Sequence, residues 1–180
     1  MIRLLDIIFS FLSLILFFPL FILIIFVGFL DTGFPLFIQK RVGLNLKNFT
    51  LIKFRTMKIG ALYAGTHLID PSNITCFGYF LRKFKLDELP QLLNVLMGDM
   101  SLVGPRPCLL NQKRLISERK KKGVFKVRPG ITGLAQVSGI DMTNPKLLAK
   151  TDLKMIKQMS LFYYFYYIFK TVLLVFRKGS

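Results

Sequence analysis

The chain has 180 residues, enough for one domain of ordinary size, but 53% of them are hydrophobic and 14% are aromatic. That exceeds what the core of a small soluble domain needs, and the formal net charge is +17. Cys76 and Cys108 lack CxxC spacing and His67 is the only histidine, which argues against a structural zinc site and against a histidine-based catalytic triad.

The first predicted element is a membrane segment. Residues 7–30 contain no charged side chain, and Asp31 is the first charged residue after them. About 20 apolar residues are enough to cross a bilayer. A cleaved signal peptide is the alternative, but the apolar run is too long and no small-residue cleavage site follows it. The sequence therefore predicts a membrane protein.

The middle of this segment predicts a break. Pro19 removes a backbone hydrogen bond and clashes with the preceding turn. Positive charge lies on both flanks, with Arg3 before the segment and Lys40 and Arg41 after it, which favours having both ends inside. We expect residues 4–30 to form a re-entrant hairpin with both ends in the cytoplasm. A spanning helix that tolerates one proline kink is the alternative.

The rest of the chain is strongly basic. Such blocks attract anions, and nucleic acid, anionic lipid headgroups and phosphorylated substrates are all candidates. The neighbouring apolar segment favours the last two, whereas a solvated positive-inside flank is the plain alternative. One block is "KRLISERKKKGVFKVR" near residues 113–128. The other block, residues 40–58, contains no acidic residue. Its basic residues are Lys40, Arg41, Lys47, Lys53, Arg55 and Lys58.

A strand and a helix are predicted next. "NFTLIKFRTMKI", from residue 48, alternates as a strand does and would carry Lys53 and Arg55 on one face. A leucine stripe predicts an amphipathic helix that Gly98 ends, with Pro90 in its first turn and Asp87 at its N-cap. The stripe consists of Leu89, Leu92, Leu93 and Leu96.

The adjacent carboxylates of "KLDELPQ", Asp87 and Glu88, have two interpretations. An N-cap aspartate commonly stabilises a helix by about 1 kcal/mol and does nothing else. A helix N-terminus also attracts phosphate. Because successive helical residues point about 100° apart, one carboxylate could attack a substrate while the other holds a metal.

Two later loops carry arginines on stiff backbone. Arg106 lies between two prolines in "GDMSLVGPRP", and Arg128 precedes a Pro-Gly turn in "VRPGITGLAQVSG". A guanidinium matches phosphate with two parallel hydrogen bonds, and prolines reduce the entropy lost in fixing it. Each motif alone also occurs in ordinary surface loops.

The last predicted element is "SLFYYFYYIFKTVLLVF", residues 160–176. Lys170 interrupts it, and aromatic rings with polar tips prefer the membrane interface. We expect this segment to lie on the membrane surface without crossing it. A buried core helix is the alternative.

Four blocks in order, "FIQKRVG", "LIKFRTM", "LRKFKLDELPQLLNVLMGDMSLVGPRP" and "VRPGITGLAQVSG", resemble the bacterial sugar transferases, specifically the small monotopic phosphoglycosyl transferases that start glycan assembly on a polyprenyl phosphate. The resemblance covers nearly the whole chain. It implies a mainly α fold with a little β, a membrane-anchoring hairpin over residues 1–31, and a cytosolic catalytic domain with interfacial amphipathic helices over residues 32–180.

The same resemblance implies roles for individual residues. Asp87 would be the nucleophile that attacks the sugar-bearing phosphate of a UDP-sugar, and Glu88 would help to hold Mg²⁺. Asp152 matches a recurrent acidic position whose task stays open. The positions that match phosphate-binding or site-lining residues are Lys53, Arg55, Arg82, Arg106 and Arg128.

The implied partners are a UDP-sugar, a polyprenyl phosphate such as undecaprenyl phosphate, and lipids of the inner leaflet. The implied location is the cytoplasmic face of a bacterial inner membrane. The resemblance implies no nucleic-acid partner, and downstream glycosyltransferases would extend the product toward a capsule, a lipopolysaccharide O-antigen or a glycoprotein.

The chain departs from the family pattern in two places. Phe18-Pro19 stands where members often have Ser-Pro, and "SGIDMTNPKLLAKTD" stands where many have an Asn-Gly-Arg-Asn run. The second departure leaves the identity of the sugar open. Family members with short chains often use N-acetylated, 6-deoxy sugars, so the resemblance favours a sugar of that kind. Two other classes also stay open: a non-enzymatic basic module that binds nucleic acid or anionic lipid, and a structural membrane protein in which Asp87 is only a cap.

Overall fold

The computed structural model describes residues 1–61 and 70–179, so His67 lies outside the described residues. The described chain is mainly helical with two small sheets, as the sequence predicts. The helices are α1 (Ile2–Leu16), α2 (Phe18–Thr32), α3 (Cys76–Lys83), α4 (Gln91–Met97), α5 (Lys113–Lys121), α6 (Leu134–Val137), α7 (Pro145–Gln158) and α8 (Leu161–Gly179). The strands are β1 (Leu36–Val42), β2 (Asn48–Phe54), β3 (Ser101–Val103), β4 (Cys108–Leu109) and β5 (Gly130–Thr132).

The apolar N-terminal segment is two helices joined at Phe17. Pro19 lies in the first turn of α2, where its missing N–H costs nothing, so the predicted break is confirmed. The two helices are bent by 63° at the break. Among the described helices none is long and apolar enough to cross a membrane by itself, although this bent pair is when taken together. That both ends lie on one side of a bilayer stays a prediction.

Polar residues of α1 attach the apolar segment to the rest of the chain. The Asp6 carboxylate is 2% exposed and accepts hydrogen bonds from Ser101 Oγ, the Leu102 N–H and Tyr164 Oη at 2.9–3.0 Å. The Arg3 guanidinium donates to backbone carbonyls at the end of α4. Because a buried carboxylate is costly unless it is hydrogen-bonded, these contacts fix α1 against β3 and α8.

Strands β1 and β2 form an antiparallel hairpin in which Phe37 pairs with Lys53. The predicted strand is confirmed, although it ends at Phe54 and leaves Arg55 just beyond it. The cations of Lys53 and Arg55 lie 5.4 and 5.7 Å from the centroid of the Phe37 ring, as expected for residues two apart on one face.

Helix α4 is held against the hairpin by Asn94. This fully buried side chain accepts from the Ile52 N–H at 3.0 Å and donates to the Thr50 carbonyl at 2.7 Å, so it satisfies backbone groups of β2. The helix ends at Gly98, whose φ of 93° is left-handed, as the sequence predicts. The residues just before α4 are thereby placed at the hairpin.

The two arginine loops meet backbone to backbone. The Gly104 N–H donates to the Thr132 carbonyl at 2.8 Å, and the Gly130 N–H donates to the Pro105 carbonyl at 2.9 Å. A Cβ on Gly130 would lie 2.0 Å from the Gly104 nitrogen, so a side chain cannot fit there. The glycines therefore permit the contact that brings the Arg106 loop beside β5.

Helix α8 has two different faces. Tyr164 and Tyr167 are fully buried against the core, whereas Phe162, Phe169 and Phe176 are exposed. The core-helix alternative therefore describes one face of α8, and the other face is an aromatic surface. Contact of this surface with lipid stays a prediction.

Candidate active site

Asp87 and Glu88 lie in a 3-10 turn, Leu86–Glu88, that precedes α4. The prediction that Asp87 is the N-cap of α4 is wrong, because Pro90 occupies that position and no side chain caps the helix there. The physical reason is Lys85, whose left-handed φ of 54° starts a helical turn earlier than the leucine stripe indicates. The Asp87 carboxylate is thus not used as a cap.

The two carboxylates are withdrawn from solvent. Asp87 is 8% exposed, and the Glu88 side chain is 12% exposed. Glu88 Oε1 accepts a hydrogen bond from Arg106 Nη2 at 2.8 Å, which is a short, charge-assisted contact. This ion pair brings the "GPRP" loop to the 3-10 turn.

The surroundings shift the pKa values of the two carboxylates in opposite directions. Burial, together with the charge of Glu88, raises the pKa of Asp87 to about 6, although Lys53, Arg106 and Arg82 oppose the shift. Burial would also raise the pKa of Glu88, but Arg106 and the neighbouring lysines hold it below its ordinary value. The pair therefore has one carboxylate with a high pKa and one that stays firmly ionised.

Two further predicted cations lie at the pair. Burial lowers the pKa of Lys53 to about 8, while the charges of Asp87 and Glu88 favour its protonated form. Arg82, on α3, donates from Nε to Thr56 Oγ1 at 2.9 Å. Burial lowers the pKa of Arg82, and the charge of Asp87 opposes that shift. Together with Arg106 these side chains surround the carboxylates with positive charge, and Lys53, Arg106 and Glu88 line a small cationic cleft there.

Arg41 belongs to the same cleft and was not assigned there from the sequence. It donates to the Pro107 carbonyl at 3.3 Å and to Gln39 Oε1 at 2.7 Å. Its Nε is buried without a hydrogen-bond partner among the residues that the structure describes. The strand alternation offered a signal, because Arg41 lies on the same face of the β1–β2 hairpin as Lys53. The cleft is lined by Arg41, Leu51, Lys53, Glu88, Gln91, Arg106, Pro107, Gly130 and Ile131.

Two predicted phosphate-binding arginines lie elsewhere. Arg55 donates to the carbonyls of Phe34 and Leu36 at 2.8 and 3.3 Å, so it holds the connection between α2 and β1. Arg128 donates to the Gly98 carbonyl at 2.8 Å, which stabilises the C-terminal end of α4. Arg128 also lines a separate cavity of about 350 Å³. Phosphate binding by these two residues stays a prediction.

Asp152 is buried on α7, away from the cleft lining. Its Oδ2 lies 2.8 Å from Nη2 of Arg119, which is equally buried on α5. The family resemblance left the task of Asp152 open, and Arg119 appeared in the sequence only as one member of a basic run. The pair contacts the site indirectly, through the backbone of Arg106.

An apolar groove opens beside the cationic cleft. It has a volume of about 550 Å³, a size typical of ligand sites. Glu88 and Ile131 line both the groove and the cleft, so the two spaces meet there. The other residues that line the groove are Phe17, Phe80, Phe84, Lys85, Leu86, Leu89, Leu92, Thr171, Val172, Val175 and Phe176.

The carboxylates of Asp87 and Glu88 fit Mg²⁺ only together with oxygens of a bound substrate. In the described part of the chain, no group of three or more His, Cys, Asp or Glu side chains could hold a metal. Two adjacent carboxylates are hard oxygen donors, however, and Mg²⁺ is usually held by one or two carboxylates together with substrate phosphates. Asp87 and Glu88 therefore fit Mg²⁺ that arrives with a phosphorylated substrate.

Buried carboxylates, fixed cations and an adjoining apolar groove thus lie together at the 3-10 turn. The chain belongs to the bacterial sugar transferase family, whose model matches residues 1–178. This membership confirms the resemblance seen in the sequence blocks.

Three curated relatives illustrate the family. The chain is 50% identical over 61% of its length to the uncharacterized sugar transferase EpsL of Bacillus subtilis. It is 35% identical over 78% of its length to the UDP-N-acetylgalactosamine-undecaprenyl-phosphate N-acetylgalactosaminephosphotransferase of Aeromonas hydrophila. It is 42% identical over 62% of its length to the UDP-glucose:undecaprenyl-phosphate glucose-1-phosphate transferase of Xanthomonas campestris pv. campestris. These alignments cover 54%, 35% and 24% of the three relatives, so the chain spans about half of their length or less.

Proposed function

We propose that the chain transfers a sugar-1-phosphate from a UDP-sugar to a polyprenyl phosphate and releases UMP. The observation that carries the proposal is the buried Asp87–Glu88 pair, on which the charges of Lys53 and Arg106 act. Glu88 lines both the cationic cleft and the apolar groove. A phosphate on a hydrocarbon chain matches the groove, and the cations around the carboxylates match the negative charge of a diphosphate. The names of two relatives describe the same class of reaction.

In the first step an Asp87 carboxylate oxygen attacks the phosphorus that bears the sugar. The bond from that phosphorus to the oxygen of UMP breaks, and UMP leaves with the bonding electrons. An acyl phosphate between Asp87 and the sugar phosphate results. The charges of Lys53, Arg82 and Arg106 act on Asp87, which supports a role for them in stabilising the charge that develops on the phosphate oxygens.

In the second step an oxygen of the lipid phosphate attacks the same phosphorus. The bond from phosphorus to Asp87 breaks, the carboxylate is regenerated, and the product is a polyprenyl diphosphate sugar. Mg²⁺, when bound with substrate at Glu88 and Asp87, would neutralise phosphate charge. Glu88 itself contacts Arg106 and so keeps that cation beside the nucleophile.

We further propose that the enzyme acts at the cytoplasmic face of a bacterial inner membrane, attached through α1, α2 and the exposed face of α8. The bent apolar helix pair and the exposed aromatic residues support this location. A UDP-sugar is cytosolic, whereas the acceptor phosphate lies at the headgroups. The site has to reach both.

The test of the function is release of UMP from a panel of UDP-sugars in the presence of undecaprenyl phosphate and Mg²⁺. We expect one UDP-sugar to be used best, with turnover lost when EDTA removes the metal. The panel contains the UDP-sugars named for two relatives, UDP-N-acetylgalactosamine and UDP-glucose, together with N-acetylated, 6-deoxy sugars. A basic module that only binds nucleic acid or lipid releases no UMP from any of them, and that outcome contradicts the proposal.

The groove yields a separate prediction, that it holds the first isoprene units of the acceptor. Replacing Val172 and Val175 together by Thr keeps their shape but puts hydroxyl groups against the hydrocarbon, at about 1 kcal/mol each. The KM for undecaprenyl phosphate should rise at least about tenfold. UMP release in a single turnover without lipid should be unchanged.

The matched control for the groove is Leu173→Thr, on the same helix but outside the groove lining. It should leave the lipid KM unchanged. Equal effects of the groove variant and this control would show that α8 contacts lipid generally and that the groove has no special part in acceptor binding.

A further inference from the structure

A buried ion pair lies behind the active-site cleft. Arg119 on α5 is 2% exposed, and Asp152 on α7 is 1% exposed. Arg119 Nε donates to Asp152 Oδ2 at 2.9 Å, and Arg119 Nη2 lies 2.8 Å from the same oxygen. Both charges are therefore removed from water and depend on each other.

Stability alone gives a weak reason for this pair. Asp152 Oδ1 is buried with no hydrogen-bond partner in the described ranges, and burial raises the pKa of Asp152 despite the opposing charge of Arg119. Taking two charges out of water costs about as much as their attraction returns, and apolar side chains of similar volume are often as stabilising in the same place.

The third contact of Arg119 leads to the active site. Its Nη1 donates to the backbone carbonyl of Arg106 at 2.8 Å. The Arg106 guanidinium in turn reaches Glu88 at 2.8 Å. A continuous set of charge-assisted contacts thus runs from Asp152 through Arg119 and the Arg106 backbone to the carboxylate pair.

The local sequence makes this anchor effective. Arg106 lies between Pro105 and Pro107, so its backbone has little freedom to adjust. Fixing one carbonyl of such a segment therefore fixes the starting point of the guanidinium. Asp152 orients Arg119, because its carboxylate accepts from Nε and lies 2.8 Å from Nη2, which leaves Nη1 directed at the carbonyl.

We propose that Arg119 and Asp152 are positioning residues that hold the Pro-Arg-Pro loop so that Arg106 meets Glu88 and the substrate phosphate. The inference rests on the proposed function. Neither residue lines the cleft, so they act through Arg106 and not on the substrate. This assigns a role to Asp152 that the sequence resemblance left open.

The first test replaces the pair by apolar side chains in Arg119→Met/Asp152→Leu. We expect the Tm to stay equal or rise, while UMP release from the UDP-sugar that the wild type uses falls at least about tenfold. The matched control is Lys121→Met/Glu118→Leu, which removes an ion pair between exposed Lys121 and half-buried Glu118 on the same helix α5 and should keep the rate within about twofold. A wild-type rate in the folded buried-pair variant overturns the proposal.

A double-mutant cycle asks whether the pair acts through Arg106. In an Arg106→Lys background the bidentate fork is already lost, so replacing the pair should add almost no further loss. A merely smaller fraction of folded enzyme would lower the rate equally in both backgrounds, and such additivity overturns the proposal. Should Arg119→Met/Asp152→Leu fail to fold, Arg119→Lys serves in the same cycle, because a single ammonium cannot hold Asp152 and the carbonyl in the same fork geometry.

The last readout does not depend on activity. Hydrogen exchange of the peptide that covers residues 104–110 should be faster in Arg119→Met/Asp152→Leu and unchanged in the control. Failure of the wild type to release UMP from any UDP-sugar would refute the proposed function and leave this measurement intact. Unchanged exchange in the variant would refute the positioning role separately.

Discussion

Asp87→Asn should keep the fold and abolish turnover. Asn has the shape of Asp, but its amide cannot form the acyl phosphate, and loss of covalent catalysis should lower the rate more than about a hundredfold. The substitution removes no helix cap, since Pro90 and not Asp87 is the N-cap residue of α4. At pH 7 the ionised Asp87 costs stability, because that pH lies above both its folded pKa of about 6 and its ordinary value. A neutral Asn should therefore leave the Tm equal or higher.

Two measurements check this expectation. Mass spectrometry of the wild type quenched with UDP-sugar alone should show a sugar-phosphate adduct on the peptide that contains Asp87, and the Asn variant should lack it. The matched control is Asp70→Asn, an exposed carboxylate whose capping role Asn can take over. If Asp87→Asn keeps more than about a hundredth of the wild-type rate, Asp87 is not the nucleophile.

The comparison of sequence with structure separates local features from long-range ones. Alternation predicted β2 and placed Lys53 on it, and Gly98 predicted the end of α4, because both signals depend on neighbouring residues. The position of Asp87 was missed for a local reason that composition does not show. Lys85 adopts a left-handed φ that glycine usually takes, so nothing in the sequence marks the turn that begins there.

Contacts between distant segments account for the other differences. The sequence predicted that Arg106 and Arg128 bind phosphate from similar stiff loops, yet one reaches Glu88 and the other the end of α4. Which guanidinium points into the cleft depends on how the loops pack through Gly104 and Gly130. The buried partner of Asp152 could not be read from spacing either, since many basic residues were available to it.

The pH dependence of kcat/KM should be bell-shaped, with its maximum between about pH 6 and about pH 8. The acid limb follows from Asp87, whose pKa is raised to about 6 by burial and by Glu88, and which must be ionised to attack. The rate is therefore lost as the pH falls through that value. Because Asp87 and Glu88 interact closely, this limb belongs to the pair.

The alkaline limb follows from Lys53, whose pKa burial lowers to about 8. Its ammonium must be charged to stabilise the phosphate oxygens, so the rate is lost as the pH rises through that value. Lys53→Arg should move this limb beyond the measured range and leave the acid limb in place, whatever its effect on the maximum, because arginine stays protonated. Lys47→Arg, an exposed control on the same hairpin, should leave both limbs unchanged. A wild-type profile that is flat from about pH 5 to about pH 9, or an alkaline limb that survives in Lys53→Arg, would show that these two groups do not set the active ionisation state.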